Sequence, residues 1–399
     1  MSAASLLKPS LNWLLIFVPI AAWLHYGTTH HTAIFLCACV AIIPLAGWMG
    51  KATEHLAEKT GEGLGGLLNA TFGNAAELVI ALVALFKAAN MKPEDAAAMH
   101  EVVKASITGS IIGNILLVLG AACLAGGIRH RVLRFGGTAV RSYGSMLFLA
   151  AAALVLPAVF HWVGGPEIQA RERSLSLEIS VVLLITYGLS LWFSLKTHKD
   201  LFAGPAAESA AVQDEDHEPN GHQPWSTKKS LSVLIGATVL IAIVAEWMVG
   251  SVEHAAHELG MSTVFVGIII VAIVGNAAEH STAILVAMKN RMDLAMGIAI
   301  GSSIQIALFV APVLVMVSYL INPNQPLDLV FTPMEVLAIV LAVLVVDQVT
   351  SDGETHWLEG VQLLSVYVIL GLVFYLLPQG ALAGHTAPAA SSDVAVPGH

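Results

Sequence analysis

The chain has 399 residues, of which 56% are hydrophobic and only 12% charged, with a net charge of −10 at pH 7. Its mean hydropathy is +0.77. A soluble domain carries about 25% charged residues, so a soluble globular fold is excluded, and the sequence holds no basic, aromatic-rich patch of the kind that grips nucleic acid. Apolar runs of about 20 residues, rather than ten-residue alternating segments, make α-helices the spanning element.

Eleven spans are predicted. The first, 11–25, follows a single lysine, Lys8, and lacks an A-x-A cleavage site, so it is read as a retained helix and not a signal peptide. Spans 2 to 6 fall at 32–50, 64–88, 102–127, 138–160 and 175–195. A polar linker, 197–227, carries the acidic run Asp214-Glu215-Asp216-His217-Glu218. Spans 7 to 11 fall at 229–250, 262–288, 293–320, 330–347 and 358–378, and the Ala-, Gly-, Pro- and Ser-rich tail from Gly380 is expected to be disordered. Cys37, Cys39 and Cys123 all lie in apolar runs without paired spacing, and read as small core residues.

Basic residues give the orientation. With the N-terminus inside, the inner loops collect Lys8, Lys51, Lys59, Arg129, Arg131, Arg134, Arg141, Lys196, Lys199, Lys228, Lys229, Lys289 and Arg291. The outer loops collect Lys87, Lys92, Lys104, Arg171 and Arg173. Thirteen of the 18 basic residues therefore lie inside, which places the N-terminus in the cytoplasm and the C-terminus outside.

Two stretches inside these runs are identical: Gly73-Asn74-Ala75-Ala76-Glu77 in span 3 and Gly275-Asn276-Ala277-Ala278-Glu279 in span 8. The repetition extends further. Trp48-Met49 and Glu54-His55 recur at the same spacing as Trp247-Met248 and Glu253-His254, and Gly109-Ser110 recurs as Gly301-Ser302. The chain thus divides into an N-terminal helix outside the repeat (1–31), a first five-helix repeat (32–196), an acidic cytoplasmic linker (197–227), a second five-helix repeat (228–379) and the tail (380–399). An odd number of spans per repeat puts the two copies in opposite orientations. The fold class is an all-α integral membrane protein with a 1 + 5 + 5 layout and inverted-topology repeats, an architecture that puts its site near the midplane between the repeats.

A carboxylate inside an apolar run is costly to bury in a bilayer, so Glu77 and Glu279 are functional-site candidates. On a helix, Asn74 and Glu77 share a face, as do Asn276 and Glu279. Together they offer two carboxylates and two amide carbonyls, with Ser106, Thr108, Ser110 and Asn114 on span 4 and Ser302, Ser303 and Gln305 on span 9 nearby. Such hard oxygen donors suit Ca2+ or a similar cation better than Zn2+. Glycines around the motifs (Gly65, Gly66, Gly73, Gly275, Gly109, Gly113, Gly301) allow close packing or local unwinding that would add backbone carbonyls. His280, absent from the first copy where Leu78 stands, either tunes and relays protons or packs against a carbonyl. Glu54, Glu253 and Glu258 flank the membrane as possible entrance residues, a placement that a solvated interface explains as well. Glu178, Glu246, Glu335 and Asp347 lie near span ends, where interfacial placement is cheap.

The stretches Leu67-Leu-Asn-Ala-Thr-Phe-Gly-Asn-Ala-Ala-Glu77, Val274-Gly-Asn-Ala-Ala-Glu-His280 and Gly301-Ser-Ser-Ile-Gln-Ile-Ala-Leu-Phe-Val310, with Lys289-Asn290, Asp293 and Trp357-Leu-Glu-Gly360, resemble the cation/proton exchanger (CAX) family of Ca2+/H+ antiporters, within the cation/Ca2+ exchanger superfamily. The likeness covers spans 2–11. It implies that Glu77 and Glu279 bind cation and proton alternately, that Asn74, Asn276, Ser110, Ser302 and Gln305 support them, and that His280 lies beside the site. The expected activity is exchange of Ca2+ for H+ by alternating access, with Ca2+ and protons competing for the paired Glu site. Alternatives are a Na+-coupled exchanger, an exchanger of Mn2+ or another divalent ion, a cation channel, and an intramembrane metalloenzyme. The last lacks a HExxH pair and a nucleophile elbow, and an enzyme is not expected. The partners are small inorganic cations and the lipid bilayer, with no resident cofactor beyond the transported Ca2+ and H+. The short segment before span 1 favours a prokaryotic plasma membrane.

Overall fold

Repeated small residues along two long apolar runs let their backbones approach closely, and this pair forms the spine of the computed structural model. The structure describes residues 11–60, 62–164, 168–198 and 225–377. Helix α1 (Phe17–Gly27) follows a tighter 3₁₀ turn, Leu11–Ile16. Helix α2 is His31–Thr60, α3 Glu62–Phe72 and α4 Ala75–Ala88. Next come α5 (Pro93–Arg129), α6 (Gly137–Gly164) and α7 (Arg171–Thr197). The second half holds α8 (Thr227–Glu258), α9 (Thr263–Ala287), α10 (Met292–Ile321), α11 (Pro333–Val349) and α12 (Trp357–Leu376).

Among the described residues, eight helices are long and apolar enough to cross a membrane. The other three predicted spans are α1 with its preceding turn, the broken pair α3 and α4, and the 17-residue α11. The acidic run 214–218 and the tail from Gly380 lie outside the described residues, as do Lys8 and Lys199.

The spine is α2 against α8. Ala38, Ala41 and Ala52 on α2 and Ala237, Ala245, Ala255 and Ala256 on α8 are buried. At 30 and 32 residues the two helices run to about 45–48 Å, well beyond the roughly 30 Å hydrocarbon layer. Their far ends therefore project on opposite sides. At one end His31 stacks on His254, with ring centroids 4.4 Å apart, and the Thr32 hydroxyl donates to Glu258. At the other, His55 packs on Trp225.

Contacts join loop segments that the basic residues assign to a common side. Arg134 pairs with Glu354 at 2.9 Å, and His130 meets the carbonyl of Met288 at 3.1 Å, joining segments assigned to one side. Lys104 pairs with Asp328, and Arg173 donates to the carbonyl of Asn324, joining segments assigned to the other. The all-α expectation needs one addition. Strands β1 (Leu133–Arg134) and β2 (Glu354–Thr355) pair antiparallel, and the ladder ties the end of α5 to the start of α12.

The centre is built by α4, α5, α9 and α10. Three of these helices change winding along their length. A π-helical turn interrupts α5 at Gly113–Val118, α9 at Val266–Val271 and α10 at Ile306–Val310. Such turns shift the face that a helix presents and recur at functional sites. The turns in α5 and α10 fall at equivalent places in the two repeats, a few residues beyond Gly109-Ser110 and Gly301-Ser302.

Candidate functional site

The two identical motifs have different backbones. The second lies within the continuous helix of α9, so Asn276 and Glu279 share a face as the spacing predicts. The first does not. Its chain leaves α3 at Phe72, turns through Gly73 and Asn74, and restarts as α4. Asn74 is the residue capping α4, at φ −101°, and Glu77 lies in its first turn. The expectation of a single helix through span 3 is corrected here. Glycine costs about 1 kcal/mol relative to alanine in a helix, and the approach to the first motif holds Gly61, Gly63, Gly65 and Gly66. The approach to the second is Ile268-Ile-Ile-Val-Ala-Ile-Val274, which keeps its helix.

The break exposes two sets of backbone groups. The end of α3 leaves carbonyls without helical partners, and the start of α4 leaves N–H groups and a partial positive charge. That positive end lies against the Glu77 carboxylate and offsets part of the repulsion between two acidic groups in one apolar setting.

The motifs cross at their glycines. A Cβ on Gly275 would lie 3.1 Å from Glu77 Oε1, and a Cβ on Gly73 would lie 3.5 Å from Glu279 Oε1. Each carboxylate therefore rests over the glycine of the opposite repeat. The amides cross as well. Asn74 Nδ2 donates to Gln305 Oε1 at 2.5 Å, and Asn276 Nδ2 donates to Ser110 Oγ at 3.0 Å and to the carbonyl of Ala272 at 2.9 Å. Ser302 Oγ donates to Glu279 Oε2 at 2.5 Å. The structure thus brings together Glu77, Glu279, Asn74, Asn276, Ser110, Ser302 and Gln305. His280 follows Glu279 on α9, half-buried, with Nε2 enclosed and unpaired.

Glu77, Asn74, Asn276, Ser110 and Ser302 are buried, and Glu279 and Gln305 are half-buried. Asn74 Oδ1 is enclosed and accepts no hydrogen bond. A buried carbonyl oxygen without a donor is rare and demands an explanation. Among the described residues no three His, Cys, Asp or Glu side chains cluster as a metal site would. The oxygens on offer for a cation are the two carboxylates and neutral amide, hydroxyl and backbone groups, a donor set of the kind Ca2+ uses.

Packing on the two sides of the crossing differs. A Cβ on Gly109 would overlap the backbone of Ile268, so α5 and the first half of α9 are in tight contact. The counterparts of these two residues in the repeat are Gly301 and Gly66. A Cβ on Gly301 would have nothing within 4 Å, and Gly66 instead faces the Leu195 side chain at the end of α7. Exposure follows the same division: Gly109 and Ile268 are buried, whereas Gly73 and Gly301 are half-buried and Asn69 is exposed. The crossing is sealed on the Ile268 side, whereas on the other side α3 packs against α2 and the end of α7 and leaves Gly301 uncovered.

Glu54, Glu253 and Glu258 lie on the projecting ends of α2 and α8, exposed and away from the crossing. Two placements differ from the sequence reading. Lys104, assigned to an outer loop, is buried within α5 and bonded to Glu101 at 3.0 Å, Asp328 at 3.3 Å and the carbonyl of Val330 at 2.9 Å. Glu335, assigned to an interface, is buried, closes a capping box with Thr332 and accepts from Thr108 at 3.1 Å. Asn114 is also buried in the site, 3.5 Å from Asn276 Oδ1, and Ser303 donates to the carbonyl of Ile111 at 3.2 Å across the repeat boundary. Their polarity inside apolar spans was the available signal.

Two five-helix halves in opposite orientation, with matched carboxylates crossed at their centre, define an inverted-repeat membrane transporter. Residues 30–196 and 229–376, the two halves without the linker, match the family model described as sodium/calcium exchanger protein, and the chain belongs to that family. It is similar to a protein named Ca(2+)/H(+) antiporter from Aphanothece halophytica, 42% identical over 375 residues, covering 92% of this chain and 96% of that protein. It is equally similar to Ca(2+)/H(+) antiporter ChaA of Bacillus subtilis, 42% identical over 345 residues, covering 86% and 92%. Among solved structures, native YfkE, described as a Ca2+/H+ antiporter protein, is 37% identical with a TM-score of 0.76, covering 92% of this chain and all of that one.

Proposed function

We propose that this protein exchanges Ca2+ for H+ across a prokaryotic plasma membrane, and that both ions use one site made by Glu77 and Glu279. The observation that carries this reading is the reciprocal crossing of the two motifs, each carboxylate lying over the other repeat's glycine. The names of the relatives support the choice of ions, and the unpaired Asn74 Oδ1 supports a cation at the crossing.

Ca2+ is bound by the ionised pair together with Asn74 Oδ1 and neighbouring neutral oxygens. Without Ca2+, two facing carboxylates inside the bundle take up protons, because a like charge and an apolar setting both disfavour the doubly ionised form. Ca2+ binding expels those protons, so the two ions compete and each direction of transport carries one kind. An empty, doubly ionised pair is costly to carry between states in a low-dielectric setting, and this couples the fluxes. The sign for pH follows: every proton displaced by Ca2+ makes binding easier as pH rises, so the Ca2+ concentration for half-maximal exchange falls with rising pH on the loading side.

The unequal packing supports alternating access. In the present conformation the side of Gly109 and Ile268 is closed. In the opposite one α3 swings about Gly73 and Asn74 and brings Gly66 against Gly301, while Ile268 leaves Gly109. With the cytoplasmic N-terminus that the basic residues imply, the side on which Gly301 is uncovered is cytoplasmic, and an inward proton gradient drives Ca2+ out.

The test is radiolabelled Ca2+ uptake into sealed everted vesicles with an imposed interior-acid gradient. Wild type should take up Ca2+ only with the gradient and without need of Na+, and Glu77→Gln and Glu279→Gln should each abolish uptake. Unchanged uptake in both variants would defeat the site assignment. Uptake independent of the gradient would indicate a channel, and a requirement for Na+ a different counter-ion.

A further inference from the structure

We infer that Gly73 and Gly275 are the seats of the opposing carboxylates, and that the missing side chain of each sets how closely Glu77 and Glu279 approach and hence which cation the pair accepts. The inference rests on the paired-Glu reading above and adds to it the residues that gauge the site. A glycine is usually required by a left-handed backbone, but neither residue has one: positive φ angles occur among the described glycines at Gly260 and Gly353. Nor does local helix preference explain Gly275, which sits inside the continuous helix of α9, where alanine is the better former. What distinguishes it is the neighbour. A Cβ there would meet Glu77 at Oε1 (3.1 Å), Cγ (3.3 Å) and Cδ (3.4 Å), all atoms of one side chain. At Gly73 a Cβ would meet Glu279 Oε1 and Gln305 Oε1, each at 3.5 Å, and the carbonyl of Asn69 at 2.9 Å.

The two seats differ in what must yield. At Gly275 the yielding atoms belong to a flexible carboxylate, so alanine is accommodated by moving Glu77 a few tenths of an ångström. At Gly73 part of the obstruction is backbone, so alanine also disturbs the turn. A shift of that size matters to a cation: Ca2+ takes its oxygens at about 2.3–2.6 Å and Mg2+ at about 2.0–2.1 Å. Gly275→Ala is therefore a substitution that suits the helix and harms the site, which separates a gauge from a packing glycine.

The test uses the full chain, purified and reconstituted, with proton-driven Ca2+ exchange and equilibrium binding of radiolabelled Ca2+ as readouts. Gly275→Ala should raise the Ca2+ concentration for half-maximal exchange by about tenfold, equivalent to about 1.4 kcal/mol, with maximal rate little changed and the relative preference among Ca2+, Mn2+ and Mg2+ altered. Gly236→Ala, at an exposed glycine of α8 with nothing within 4 Å of its Cβ position, should leave both readouts as in wild type. Shortening the carboxylate should relieve the clash, so Gly275→Ala should weaken Ca2+ binding less in a Glu77→Asp background than alone. Wild-type affinity and cation preference in Gly275→Ala would overturn the inference, as would equal losses in the two backgrounds. Full exchange in Glu77→Gln would show instead that the paired-Glu reading itself is wrong, whereas loss in Glu77→Gln with a normal Gly275→Ala would remove only the gauge.

Discussion

Gly73–Glu77 and Gly275–Glu279 spell the same five residues, yet one is a turn between two helices and the other a stretch of continuous helix. The difference comes from the flanks and from what each flank packs on. The approach to the second motif is β-branched and apolar, and its first half is locked against α5, where Gly109 admits the Ile268 backbone. The approach to the first is glycine-rich, and α3 leans on Leu195 and the end of α2 while the matching glycine, Gly301, faces open space. One repeat thus departs from regular helix in a π-helical turn before the motif, and the other in a break within it. On the alternating-access reading proposed above, a pair of sites identical in chemistry but unequal in packing is expected at one end of the cycle.

The comparison breaks most easily at the sealed side. Gly109→Ala forces a methyl into backbone and should cost about 1–3 kcal/mol, the usual range for overpacking, whereas Gly301→Ala, inside a helix with room for the methyl, should not destabilise and should gain up to about 1 kcal/mol. Thermal unfolding of the two purified variants measures this, and equal costs would mean that the sides are packed alike. The same side carries the buried Lys104 with Glu101 and Asp328, where the second repeat has Met296. Lys104→Met should cost about 2 kcal/mol, below the roughly 3–5 kcal/mol of a fully buried pair, because Glu101 and Asp328 keep 33% and 35% exposure.

Smaller effects sharpen it. Ser302 donates to the carboxylate of Glu279, whereas its counterpart Ser110 accepts from the neutral amide of Asn276. A hydrogen bond to a charged group contributes about 1.5–3 kcal/mol and a neutral one about 0.5–1.5. Ser302→Ala should therefore shift the Ca2+ dependence of exchange by about tenfold or more, and Ser110→Ala by a few-fold. The smallest equilibrium effect belongs to Gly301→Ala, which should leave Ca2+ binding near wild type yet slow exchange, since its methyl meets α3 only when that side closes. Normal turnover in this variant would mean that α3 does not close there.

The apolar helices and the inverted repeat were legible in the sequence because each is a matter of period and spacing. The residues that meet at the centre were legible for a similar reason, since Glu77, Glu279 and their asparagines are polar residues where lipid-facing helices cannot keep them. The break at Gly73 was not. The five letters are the same in both copies, and the density of glycines before the first pointed to unwinding without locating it. Lys104 shows another limit. Alone it reads as a loop cation, and only the fold brings Asp328 and the carbonyl of Val330 to it, from residues 224 and 226 positions further along the chain. The β1–β2 ladder is likewise two residues on each strand, too short to leave a pattern.

The central claim, that one pair of carboxylates holds either Ca2+ or protons, is tested most directly by proton release. Ca2+ is added to the purified protein in weakly buffered detergent solution with a pH indicator, and the protons released are compared with the Ca2+ bound. Wild type should release protons in proportion to bound Ca2+, Glu77→Gln and Glu279→Gln should release fewer and bind weakly, and the double variant should do neither. Tight Ca2+ binding with no proton release, or release that persists in the double variant, would contradict a shared site.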